Sequence, residues 1–245
     1  MIITVYIIII SYFLLGVIGF YFINRKKKSS EARKSWIKTL VYFIIINILC
    51  LSIIINPVIF RALAILIIIM GFYELFGLFR DSGYVKKGFF LISIIFLALF
   101  SIPFFLFSGM EKELIFFSFV ILSVFDSFST ITGQLWGRKK LFPKISPNKT
   151  MEGFIGGIMV AVISAILLRG LIEVPVIRAI ALGTGIAVFA FIGDLSASHY
   201  KRKYNVKDFS TLIPEHGGFL DRFDSLITGG AWVTLLGWIV INYSG

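Results

Sequence analysis

Apolar residues run along this chain in long unbroken stretches, each close to the length a helix needs to cross a bilayer. Eight can be read, at residues 2–24, 39–56, 58–79, 88–107, 114–136, 153–171, 176–198 and 226–243. None alternates polar with apolar at period two, so helices rather than a barrel are expected. The apolar region 39–79 is too long for one span, and Pro57 in "INPVIF" is where it should divide. The pattern predicts an all-α, polytopic helical membrane protein of about eight transmembrane helices. An N-terminal unit of helices 1–4 (residues 1–113) would precede a C-terminal unit of helices 5–8 with two polar loops (residues 114–245).

Composition agrees. Of 245 residues, 58% are apolar and 15% charged, and mean hydropathy is +0.95, beyond what the surface of a soluble domain tolerates. The lone cysteine, Cys50, falls inside the second stretch, which excludes an internal disulfide or a thiolate zinc site. Charge then adds an orientation. Twenty of the 24 cations fall in alternate connections, leaving only Arg61, Lys112, Arg169 and Arg178 on the other side. Positive connections stay in the cytosol, so both termini are expected outside. The run "RKKKSSEARK" follows the first apolar stretch instead of preceding it, so that stretch should be an uncleaved anchor. The net charge of +11 reads as topology; no aromatic-interleaved soluble module is present to bind nucleic acid.

Two cytoplasmic connections carry most of the polar chemistry: "WGRKKLFPKISPNKTMEGFIGG" (136–157) and "HYKRKYNVKDFSTLIPEHGGFLDRFDS" (199–225), the second holding both histidines. Glu74, Asp126 and Asp194 lie inside spans near the same ends. A carboxylate there costs about 2.5 kcal/mol or more, so it should face protein, water or an ion. Helical spacing puts Asp126, Thr130, Gly133 and Gly137 on one face, readable as a packing seam and as a cavity wall. It also aligns Asp194 with Ser198, Lys201 and Arg202, and Asp221 with Asp224. Asp194, Asp221 and Asp224 arriving at one depth would repel one another, and a hard divalent ion such as Mg²⁺ resolves this. Lys144, Lys149, Lys201, Arg202, Lys207 and Arg222 stand around them, the grouping a polyphosphate needs. Gly217 and Gly218 suit either close approach to a phosphate or a bare turn, and His216 either a structural hydrogen bond or a phosphate contact. Gly153 and Gly157 form a GxxxG suited to helix packing. No Ser-His-Asp order, reactive cysteine or Walker lysine loop is present, so a nucleophile would come from the substrate.

The stretch 198–224 resembles the signature of the CDP-diacylglycerol synthases (phosphatidate cytidylyltransferases), with Ser198, Lys201, Arg202, Lys207, Asp208, Ser210, Ile213, Pro214, His216, Gly217, Gly218, Phe219, Asp221, Arg222, Phe223 and Asp224 in place. Upstream, "KLFPKISPNKTMEG" is similar to the family's K-L-x-P-x-x-S-P-x-K-T-x-E-G segment. The chain departs from the family pattern at Ser129, Thr130, Ala197 and Tyr200, as a short divergent member. The resemblance implies transfer of a cytidylyl group from CTP to phosphatidate at the cytoplasmic face, releasing pyrophosphate. It implies Mg²⁺, with a second cation as an option, a homodimer in membrane lipid, and a bacterial cell membrane. Carried onto this sequence, Asp194, Asp221, Asp224, Lys201 and Arg202 are the expected catalytic residues, with the three aspartates as metal ligands. Asp126, Ser146, Lys149, Ser198, Lys207, Asp208, His216, Gly217, Gly218 and Arg222 are expected to bind substrate. Transfer to another lipid phosphate, an inactive paralogue, or an ion-coupled transporter using Glu74, Asp126 and Asp194 are the alternatives.

Overall fold

A computed structural model describes residues 2–24 and 29–243; Arg25, Lys26, Lys27 and Lys28, used above for orientation, lie outside it. Eight helices follow in order among the described residues: α1 (Ile2–Asn24), α2 (Ser29–Ile55), α3 (Pro57–Asp81), α4 (Lys87–Phe107), α5 (Lys112–Trp136), α6 (Met151–Leu168), α7 (Val176–Lys203) and α8 (Leu220–Tyr243). The eight expected stretches are the eight helices. Six of them, α2 to α7, hold segments long and apolar enough to cross a membrane. The protein is an all-α polytopic membrane protein.

The helix boundaries have local causes. The long apolar region breaks at Pro57 as expected, because Asn56 stops α2 and starts α3. Its side chain accepts the Val58 N–H at 2.9 Å, and proline in the first turn costs no hydrogen bond. Thr150 caps α6 in the same way, its hydroxyl accepting from Gly153 N at 3.1 Å. The polar loop before α6 closes as a two-stranded antiparallel hairpin, β1 (Lys140–Phe142) and β2 (Ser146–Thr150), an element that the apolar pattern did not announce. Glu152 of α6 ties down the segment between α5 and β1 by accepting the Arg138 and Lys139 N–H groups.

Packing is densest within the pairs α5–α6 and α7–α8, and α8 also rests on α4. Phe104, Phe107, Phe116, Phe117, Ile186 and Ile227 fill the core between them. The α5–α6 crossing depends on Gly153 and Gly157. A Cβ at Gly153 would stand 2.6 Å from the Ser129 carbonyl oxygen, and one at Gly157 would stand 2.8 Å from the Ser129 Cβ. The GxxxG is therefore a packing seam, as read above. Apolar side chains also point outward along the bundle, among them Ile92, Leu99, Ile102 and Leu167. In a membrane those faces meet hydrocarbon.

Candidate active site

The two polar loops meet at one end of the bundle, over a cavity of about 840 Å³. Helices supply most of its chemistry. Helix α5 contributes Asp126, α7 Asp194 and Lys201, and α8 Asp221, Arg222 and Asp224; Ser146 and Lys149 come from β2. Asp208 joins them from the loop before α8. Nine of the residues expected from the sequence thus share one wall. Helix α7 does run on through Lys203, so Asp194 and Lys201 lie two turns apart on one helix. Helix α8 begins at Leu220, which places Asp221 and Asp224 in its first two turns.

Asp194 is paired with Lys149, whose Nζ lies 2.7 Å from Oδ2. This is an ion pair outside hydrogen-bonding geometry, since Lys149 Nζ has no hydrogen-bond partner. The same ammonium sits 4.3 Å from the Phe191 ring centroid, which accounts for its partial burial. Ser198 donates to Asp194 Oδ1 at 3.3 Å. Asp224 Oδ1 accepts its neighbour's N–H, from Ser225 at 2.6 Å. Asp126 feels the charges of Asp194 and Asp224, offset in part by Lys149 and Arg222. Three carboxylates from three helices thus face one cavity.

Asp221 differs. Its side chain is 1% exposed and forms an ion pair with Lys201. Its second oxygen accepts two backbone N–H groups, from Phe209 and Gly218, each at 2.8 Å. Both oxygens are thereby committed to protein groups. Among the described residues no three His, Cys, Asp or Glu side chains stand close enough to hold a metal by themselves. Mg²⁺, however, is ordinarily held by one or two carboxylates together with phosphate oxygens and water. The chemistry of Asp126, Asp194 and Asp224, hard oxygen donors facing open space, fits that ion.

Arg202, expected to be catalytic, and several expected binding residues lie off the cavity wall. Arg202 turns to backbone carbonyls, with Nη1 2.7 Å from Val206 O and Nε 3.3 Å from Ile145 O, and so fastens the hairpin to α7. Lys207 is exposed. Ser198 acts through Asp194. His216 closes a tight turn instead, its Nδ1 3.2 Å from Pro214 O and its ring stacked on Tyr42. Its pKa is lowered, first by burial and then by Arg222 and Lys38, with Pro214 and Glu215 opposing. Gly217 and Gly218 serve carboxylates of the protein itself. Gly217 has φ +84°, and a Cβ there would stand 2.7 Å from Asp221 Oδ2.

The cavity also contains residues that the sequence reading did not single out. Tyr42 enters from α2, Gln134 from α5, Lys140 from β1 and Asn148 from β2. Gln134 was findable, as a polar residue in the last turn of an apolar helix. Tyr42 was not, being one aromatic within an apolar run whose inward face only the packed bundle defines. A second, apolar groove of about 420 Å³ runs between α4, α7 and α8, lined by Phe89, Ile92, Phe96, Phe100 and Ile227. Asp224 borders both cavities.

The model of the cytidylyltransferase family matches residues 98–240. The phosphatidate cytidylyltransferase of Bacillus subtilis (strain 168) is 42% identical over 115 residues, 46% of this chain and 43% of the relative. Proteins of the same name from Staphylococcus haemolyticus (strain JCSC1435) and Staphylococcus aureus (strain COL) are 42% and 39% identical over 115 residues, 46% of this chain and 44% of each relative. The match thus spans less than half the length of these curated relatives.

Proposed function

Because the chain belongs to the cytidylyltransferase family, we propose that it transfers the cytidylyl group of CTP to phosphatidate, giving CDP-diacylglycerol and pyrophosphate. The observation that carries this reading is the cavity in which Asp126, Asp194 and Asp224 face Lys149 and Arg222. A phosphatidate phosphate oxygen bonds to the α-phosphorus of CTP, and the bond from that phosphorus to its bridging oxygen breaks, releasing pyrophosphate. The nucleophile is the phosphatidate phosphate itself; the chain's part is positioning and charge. Lys149, Lys140 and Arg222 hold triphosphate oxygens, and Lys201 fixes Asp221. Asp194 and Asp224, with Asp126 beside them, hold Mg²⁺, which when bound offsets charge on the phosphate oxygens. Asp221, also expected among the ligands, orders the loop and Lys201 instead.

The groove suits the other substrate. Its lining is aromatic and aliphatic, and it borders the acidic cavity at Asp224. Acyl chains lying there would bring the lipid phosphate to the carboxylates. The 20-to-4 division of cations supports a cavity opening to the cytosol with both termini outside, and the bacterial relatives support a bacterial cell membrane. A homodimer surrounded by lipid belongs to the same reading.

The test is the purified chain in detergent with labelled CTP, Mg²⁺ and phosphatidate. CDP-diacylglycerol and pyrophosphate should form in equal amounts. No product from folded protein, across several phosphatidates and with either CTP or dCTP, would overturn the reading.

A further inference from the structure

Glu74 is a buried acid of α3, 2% exposed, outside the residues that the family model matches. It has a full set of partners, and all lie far away in sequence. Oε1 accepts the Ser210 hydroxyl at 2.7 Å and the Phe219 N–H at 2.9 Å; Oε2 accepts the Leu220 N–H at 2.7 Å. The two N–H donors stand at the start of α8, where free N–H groups and the helix dipole favour a negative charge, and Ser210 adds a hydroxyl from the loop before it. The next residue is also engaged. The Leu75 carbonyl accepts the buried Tyr200 hydroxyl at 2.8 Å. Tyr200 precedes Lys201, and Leu220 precedes Asp221. One turn of α3 therefore grips both residues that flank the Lys201–Asp221 ion pair. Gly218 lets the carboxylate come this close, since a Cβ there would stand 2.7 Å from Glu74 Oε2.

We propose that Glu74 is a positioning residue of the active site, fixing the first turn of α8 and with it Asp221 and Asp224. The residues that carry the family match then do not make a site alone; the N-terminal helices complete it. The proposal rests on the functional reading above for its consequence in catalysis, but not for its structural core.

The experiment uses the full chain with Glu74→Gln, which keeps the size of the side chain but sets an NH₂ against one of the donors. Ser210→Ala, which removes a single donor, is the milder companion. Hydrogen exchange read by mass spectrometry should speed up at residues 218–221 by roughly 10-fold or more in Glu74→Gln, the loss expected for a hydrogen bond to a charged group. Peptides of α4 and α5 should keep their protection. In the transfer assay, the Mg²⁺ needed for half-maximal rate and the KM for CTP should both rise, with Ser210→Ala intermediate. A mere loss of folded protein would lower the rate and leave both midpoints unchanged. Unchanged exchange at 218–221, exchange quickened throughout the bundle, or unmoved midpoints in an active enzyme would each overturn the proposal. If the unmodified chain shows no transfer, the functional reading fails, and the exchange result alone decides the role of Glu74.

Discussion

Replacing Asp221 with asparagine should destabilise the protein by more than any other single neutralisation of a cavity carboxylate. The side chains of Lys201 and Asp221 are 11% and 1% exposed, so neither charge is compensated by water. Asparagine keeps one carbonyl oxygen, which can serve either the Phe209 and Gly218 N–H groups or the lysine. Its NH₂ then opposes the donors left over. Lys201 would keep only weaker partners, the Phe209 ring 5.3 Å away and the charge of Asp224 across the cavity. Removing one partner of a buried pair costs about 3–5 kcal/mol. In a chain of this size each kcal/mol moves the melting midpoint by roughly 2–4 °C, so a drop on the order of 10 °C is expected. Cys50 gives the assay, because it is the sole cysteine and is fully buried. A thiol-reactive fluorophore added during heating in detergent reports unfolding directly. Asp221→Asn with Lys201→Met, which removes both charges, should recover much of the loss. Asp224→Asn should have a small effect, since that carboxylate accepts one N–H from its own neighbour. An Asp221→Asn midpoint within about 2 °C of the parent would refute the argument.

Asp194→Asn should lower the transfer rate about 10²–10³-fold and shift its Mg²⁺ dependence; a wild-type Mg²⁺ curve would remove it from the metal set. CTP should bind weakly by calorimetry in EDTA and tightly once Mg²⁺ is added, and equal affinity in both would count against a shared nucleotide–metal site. Gly193→Ala would put a Cβ 2.6 Å from the Asp224 carbonyl oxygen, so the α7–α8 crossing must shift, at a cost of about 1–3 kcal/mol in the same melt. Leu212 is 51% exposed in the loop before α8; with Leu212→Cys on a Cys50→Ser background, impermeant thiol reagents should not label intact cells, and labelling from outside would reverse the topology.

The legible parts of this structure were the local ones. The length of each apolar run gave eight helices, Pro57 placed the break between α2 and α3, and helical spacing correctly grouped Asp194 with Lys201 and Asp221 with Asp224. What periodicity cannot supply is the partner on another helix. Spacing brings Asp221 and Asp224 to one end of α8, but only the path of the 204–219 loop turns Phe209 and Gly218 N–H groups onto Asp221 and leaves Asp224 facing the cavity. The same loop closes over Glu74 from 145 residues away. Read from sequence, Glu74 was a lone intramembrane acid and a transporter candidate; packed, it is a capped carboxylate. Gly217 and Gly218 were open between phosphate contact and turn, and here they make a turn whose purpose is to admit two protein carboxylates.

The electrostatic balance of the cavity follows from those engagements. Five carboxylates line it (Asp126, Asp194, Asp208, Asp221 and Asp224) against four cations, Lys140, Lys149, Lys201 and Arg222. Lys201 is consumed by Asp221 and Lys149 is shared with Asp194. Where they are ionised, the three remaining carboxylates, Asp126, Asp208 and Asp224, outnumber Lys140 and Arg222. A bare triphosphate would meet repulsion there at a distance where charges one ion pair apart interact by about 4 kcal/mol near a protein surface. A triphosphate carrying a divalent cation would not, because the cation satisfies the carboxylates while Lys149 is released towards the phosphates. On this reading the Asp194–Lys149 pair is the resting form of the site. Binding of a metal-bound nucleotide would exchange it for carboxylate–metal and lysine–phosphate contacts, and the same acids would then make the site selective for that form.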